Sequence, residues 1–166
     1  MRFKPGRLPA GLSFWHPLAL LCTWFGSGLL PKVPGTWGSA AALPFAAVIQ
    51  WGLGNSGLAV GAILLFVAGA LASGPFARLA GLKDPGAIVV DEVAAQWATL
   101  ATVSLDPTLY ALAFLFFRIA DIAKPWPASW CERRLAGGLG VMADDMVAGL
   151  YAAAGMYILL RLMRGY

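Results

Sequence analysis

An unbroken apolar run from Leu109 to Phe117 leads directly into Arg118, Asp121 and Lys124. A helix that starts in lipid-compatible residues must therefore end on an arginine, an aspartate and a lysine at i, i+3 and i+6, which share one face. Pro125 disfavours α geometry at Lys124 and Pro127 follows, so the spacing predicts that this charged face closes the last turn, near a membrane surface. Two readings stand for it. The structural one pairs Arg118 with Asp121 and sends Lys124 to lipid headgroups, where it offsets the negative end of the helix dipole. The functional one places the three charges in a site, the default for ionisable groups at membrane depth.

Such runs are the rule in this chain. Of its 166 residues 60% are hydrophobic and 12% charged, and the mean hydropathy is +0.73, values outside the range of soluble domains. The expected architecture is an all-α, polytopic membrane helical bundle of about five spans with an N-terminal interfacial or re-entrant segment, residues 1–166 forming one domain. Residues 14–30 are apolar but short and glycine-broken, which suits that segment better than a span. Arg2, Lys4 and Arg7 imitate the start of a signal peptide, but His16, Pro17, Gly26 and Gly28 break the apolar run, so it is read as retained. Spans are expected at 38–53 and 57–74, joined by the turn Gly54 to Gly57. Asp84 and Pro85 read as an N-cap and first helical position opening a third span that runs to about Leu105. Asp106 and Pro107 repeat the device for the fourth, 125–143 is a loop, and the fifth begins near Asp144. The spans at 38–53 and 108–123 are short, which keeps a four-span version with one re-entrant segment open.

Charge fixes the expected orientation. With a cytoplasmic N-terminus and five alternating spans, Arg2, Lys4, Arg7, Lys32, Arg78, Lys83, Lys124, Arg133 and Arg134 fall inside and only Arg161 and Arg164 outside. The net charge of +4 is gathered at segment ends rather than in a basic stripe with interleaved aromatics, which argues against nucleic acid as a partner.

The remaining acids favour the functional reading. Asp91 and Glu92 lie within the third expected span, Asp91 roughly 9 Å along a helix counted from Pro85. Two adjacent acids in apolar surroundings are costly without a cation or proton, and a pairing of one with Arg118 leaves the other unmatched. Asp144 and Asp145 open the expected fifth span, where helix capping accounts for one aspartate but not two. Asp91, Glu92, Asp121, Asp144 and Asp145 thus make up most of the chain's eight acids and gather near one surface. Oxygen ligands without histidine or cysteine partners select a hard cation, usually Mg²⁺, which prefers one or two carboxylates together with substrate phosphate oxygens and water. The glycine-rich segments 26–39 and 137–140 offer backbone N–H groups to such a phosphate, from Gly137 and Gly138 among others, with Ser27, Thr36 or Ser39 as hydroxyl donors. Lys32, Arg118 and Lys124 supply positive charge.

Absences narrow the chemistry. The single His16 excludes a phosphatase that needs a histidine nucleophile and a second histidine. Neither Cys22 nor Cys131 has the arginine spacing of cysteine-dependent phosphatases, and no Asp-x-Asp nucleophile motif occurs.

Four motifs in order carry a resemblance: Phe25 to Gly28 with Pro31, Pro34 to Thr36, Gly38 and Ser39; Gly86, Ile88, Val89, Asp91 and Glu92; Arg118, Asp121 and Lys124 to Pro127; and Gly137, Gly138, Gly140, Met142, Asp144, Asp145, Ala148 and Gly149. Together they resemble the phosphatidylglycerophosphatase A family over nearly the whole chain. The resemblance implies a Mg²⁺-dependent enzyme of the bacterial inner membrane, facing the cytoplasm, that removes the terminal phosphate of phosphatidylglycerophosphate to give phosphatidylglycerol. The acids Asp91, Glu92, Asp121, Asp144 and Asp145 would then be catalytic and metal-holding, with Lys32, Thr36, Ser39, Arg118, Lys124, Gly137 and Gly138 on the phosphate. Two rivals use the same acids: a small ion carrier, which would set them nearer the midplane and show repeat symmetry, and a non-catalytic membrane subunit, which leaves them unexplained.

Overall fold

A computed structural model describes residues 7–163; Arg2, Lys4 and Arg164, counted in the charge argument above, lie outside them. The described residues form six α-helices and a 3₁₀ turn, with no strand among them. These are α1 (Pro17–Cys22), the turn Ser27–Leu29, α2 (Pro34–Ala80), α3 (Val90–Leu100), α4 (Pro107–Ala123), α5 (Ala128–Arg134) and α6 (Gly137–Met163).

Helix α2 is two helices divided at Gly54, whose φ of 69° and ψ of −173° fall outside helical space. A residue without Cβ is what that left-handed φ calls for. The halves run antiparallel. Gly38 lies against Val89 and Gly69 against Val90, while the Trp97 ring donates its N–H to the Ala42 carbonyl at 3.0 Å and lies 3.5 Å from a Cβ placed on Gly61. The turn is clasped by buried polar groups: Gln50 Nε2 donates to Asn55 Oδ1 at 2.6 Å and to the Val103 carbonyl at 2.7 Å, and the Tyr110 hydroxyl donates to Gln50 Oε1 at 2.6 Å.

Helix α3 is the axis of the bundle. Nine of its eleven residues are buried, because α2, α4 and α6 all pack on it. Its close approach to α6 requires Gly149, where a Cβ would sit 2.9 Å from the Ala95 carbonyl oxygen. Helix α4 starts as expected, with Asp106 accepting from the Thr108 and Leu109 N–H groups. It also ends as expected, at Lys124.

Three expectations are corrected. Asp84 and Pro85 do not start a helix: the chain continues irregularly to Val89, whose N–H donates to the Cys22 carbonyl at 2.8 Å, and Val89 is the N-cap of α3. Asp91 is therefore in the first turn rather than roughly 9 Å along a helix. The segment 125–143 is not simply a loop, since it contains α5 and the start of α6. Asp144 and Asp145 consequently lie inside α6 and cap nothing.

Helices α2 and α6 are long and apolar enough to cross a membrane. Only 33% of the most apolar stretch of α2 and 22% of that of α6 is buried within the molecule, whereas a soluble protein's core helix would be mostly enclosed. Their outer faces carry Trp51, Leu71, Leu150 and Leu162, all exposed. An apolar surface of this extent marks a membrane-associated protein. Helix α3, roughly 16 Å long, is too short to cross a bilayer by its own length.

Candidate active site

The site lies at the end of the bundle where α3 begins and α4 ends. Asp91 and Glu92 occupy the first turn of α3, where the positive end of the helix dipole favours carboxylates. Asp145 approaches from α6, and one carboxylate oxygen from each of the three lies within 4.8 Å of the others. Asp91 and Asp145 are buried, and the buried Glu92 Oε2 has no hydrogen-bond partner. Room for Glu92 comes from Gly35 at the start of α2, where any Cβ would strike Glu92 Oε1 and stand 3.3 Å from Arg118 Nη1. Three acids and one orphaned oxygen in a buried space repel unless a cation or protons compensate them. The cluster could hold a metal ion, and its all-oxygen donors suit a hard one.

The other two expected acids are each matched to a cation. Arg118 Nη1 bonds Asp121 Oδ2 at 2.8 Å, the i, i+3 pair anticipated from spacing. The same Nη1 donates to Ser39 Oγ at 3.3 Å, and Ser39 Oγ donates to the Gly35 carbonyl at 2.8 Å. Lys124 Nζ bonds Asp144 Oδ2 at 2.7 Å and Glu132 Oε1 at 3.2 Å. The snorkelling role for Lys124 is therefore corrected: its ammonium turns inward. Burial alone would lower the Lys124 pKa, but the hydrogen bond and charge of Asp144 outweigh it and hold the ammonium above its ordinary value.

The glycine and hydroxyl groups separate. Gly138 packs against the Ala70 carbonyl of α2, which leaves no room for a side chain. Gly137 has open space where a side chain would be. Lys32 is exposed and Thr36 half-buried, and neither side chain makes a hydrogen bond or ion pair within the described residues. Gly35, Lys83, Asp84, Glu132 and Arg133 stand around the site without having been singled out as site residues. For Gly35 the signal was its place in a proline-rich turn. For the other four it was only that charged residues cluster at segment ends.

Acids from α3 and α6 thus meet guanidinium and ammonium groups from α4 at one end of an all-helical, membrane-associated protein. The family model described as Phosphatidylglycerophosphatase A matches residues 20–160, and the chain belongs to that family. It is 40% identical over 149 residues to the Phosphatidylglycerophosphatase A of Escherichia coli (strain K12), covering 87% of this chain and 83% of that one. It is 35% identical over 142 residues to the Haemophilus influenzae protein of the same name, covering 85% and 87%. A Bacteroides thetaiotaomicron protein named putative phosphatidylinositol-3-phosphatase is 36% identical over 146 residues, covering 80% and 87%. No solved structure matches the chain.

Proposed function

We propose that this phosphatase removes the terminal phosphate of phosphatidylglycerophosphate to give phosphatidylglycerol, in a Mg²⁺-dependent reaction at the cytoplasmic face of a bacterial inner membrane. Residues 1–166 act as one membrane-embedded domain that makes five passes: two from α2, one each from α4 and α6, and one from α3 together with the non-helical residues 84–89 and 101–106 that flank it. The observation that carries the reading is the meeting of Asp91, Glu92 and Asp145 next to Arg118 and Lys124. The family membership supports the lipid monoester as substrate.

Asp91, Glu92 and Asp145 would hold Mg²⁺, which when bound supplies Lewis-acid stabilisation of the phosphoryl oxygens. Asp121 and Asp144 act through their partners, fixing Arg118 and Lys124 against the cluster so that both cations meet an incoming phosphate already oriented. The unpartnered Glu92 Oε2 can accept a proton from an attacking water as well as face a cation. Isolation of an acyl-phosphate on the protein separates attack by a carboxylate from direct attack by water, which passes through no covalent intermediate.

Phosphate release by purified protein in detergent tests the reading. Release from phosphatidylglycerophosphate is expected with Mg²⁺, to be abolished by a chelator and restored by added metal. The third relative's name makes an inositol lipid phosphate the natural comparison substrate. No release from phosphatidylglycerophosphate at any Mg²⁺ concentration ends the proposal.

A further inference from the structure

A cleft of about 490 Å³ is lined by Asp144 together with Lys83, Asp84, Glu132, Arg133 and Gly137. A smaller hollow of about 250 Å³ shares Lys83 and Gly137 with it and adds Arg78. The two adjoin at Lys83 and at Gly137, where no side chain stands between them, and are treated together as one trough beside Asp144, the neighbour in sequence of the cluster's Asp145.

Charges in this trough are unequally committed. Asp144 and Glu132 are already bound by Lys124, whereas Arg78, Lys83 and Arg133 make no ion pair among the described residues. Lys83 is nevertheless positioned, since its Nζ donates to the Glu132 carbonyl at 2.7 Å. Cations held in a cleft without carboxylate partners are suited to a phosphate. Asp84, in the same cleft and also without an ion pair, is suited to accept from a hydroxyl.

Under the proposed function, on which this inference rests, the substrate presents two phosphates separated by one glycerol. The terminal monoester is cleaved, and the diester joins the headgroup to diacylglycerol. With the monoester at Asp91, Glu92 and Asp145, the glycerol and the diester must occupy space next to the cluster, and the cleft that reaches Asp144, one residue from Asp145, is the space of that kind that carries uncommitted cations. We propose that it is a second phosphate subsite, in which Lys83 and Arg133 hold the diester and Asp84 the intervening glycerol hydroxyl. Selectivity for a glycerophosphodiester headgroup then resides in these residues rather than in the acids that surround the scissile phosphate.

Inhibition in uncharged detergent micelles isolates this chemistry from free phosphate and from attraction to an anionic bilayer. The probes are glycerophosphoglycerol, which carries the diester but no monoester, and orthophosphate. Wild-type protein is compared with Lys83→Gln and Arg133→Gln. In each variant the Ki of glycerophosphoglycerol and the KM of the lipid are expected to rise about tenfold while kcat stays within about twofold. The Ki of orthophosphate is expected to be unchanged, and the preserved kcat certifies the fold. Unmoved KM and Ki values overturn the subsite, as does a parallel rise for orthophosphate, a fall in kcat alone, or an effect seen only in anionic vesicles. Wild-type protein that releases no phosphate overturns the phosphatase reading and the subsite with it; active wild type with indifferent variants overturns the subsite alone.

Discussion

Glu92 concentrates the chemistry of the site in one side chain. Its Oε2 is buried without a partner, and its carboxylate stands with two others within 4.8 Å. Glu92→Gln keeps the shape and removes one of three like charges, so effects on stability and on catalysis should have opposite signs. Without metal the variant is expected to melt higher than wild type, because repulsion among buried acids is relieved. With Mg²⁺ the wild type should gain stability by binding and the variant should gain little, while kcat/KM falls by about 10³ or more. Thermal melts with and without Mg²⁺, alongside phosphate release, test both halves; a variant that melts lower without metal and keeps its Mg²⁺ response would show that Glu92 does not belong to a cation site. Lys124 is the converse case, a cation whose removal strands Asp144 in a buried position. Lys124→Met is expected to cost about 1–3 kcal/mol, read from chemical unfolding in detergent.

At the scale of the helices, glycines decide how closely neighbouring helices approach. Gly138 of α6 has the Ala70 carbonyl where its side chain would go, whereas a Cβ on Gly61 of α2 would meet only the edge of the Trp97 ring, at an ordinary contact distance of 3.5 Å. Gly138→Ala should therefore destabilise by about 1–3 kcal/mol through overpacking. Gly61→Ala should stabilise by about 0.5–1 kcal/mol, since a helical glycine is entropically costly and here nothing obstructs a methyl group. Equal shifts in melting temperature for the two would contradict this packing. At the far end, Gln50→Leu strands the Tyr110 hydroxyl and weakens the hold on the Val103 carbonyl, an expected loss of about 1–3 kcal/mol with kcat unchanged, because the clasp is remote from the acids. The same elements explain what could be read beforehand. The start of α4 was legible because Asp106 caps it with its own side chain. The end was legible because Pro125 enforces it. The start of α3 was not: Asp84 followed by Pro85 has the local form of a cap, but the next residues are drawn to Cys22 by a contact distant in sequence. The start of α6 was hidden because Gly137, Gly138 and Gly140 have poor helix propensity, and only the closeness of α2 reveals why glycine is needed there. Site acids were legible because carboxylates are conspicuous in an apolar chain, but their division into a cluster of three and two cation-bound partners depends on side-chain pairing across helices.

The whole molecule has two unlike ends joined by an apolar flank. Lys32, Arg78, Lys83, Lys124, Arg133 and Arg134 gather at the end that holds the acid cluster, while the turn at Gly54 and the clasp at Val103 form the other. Positive charge on short connections is retained in the cytoplasm, so the acid end should face inward and the Gly54 turn outward. Ser56 and Arg134 are both exposed, at opposite ends, and the two native thiols, Cys22 and Cys131, are buried. With the native cysteines replaced, Ser56→Cys is expected to react with a membrane-impermeant maleimide applied from the outer side of the inner membrane, and Arg134→Cys only after the membrane is opened. Reversed labelling would place the acid cluster outside, away from a cytoplasmic supply of the phosphorylated lipid. Labelling of both from one side would mean that no bilayer separates the two ends, and the five-pass reading would fail with the orientation.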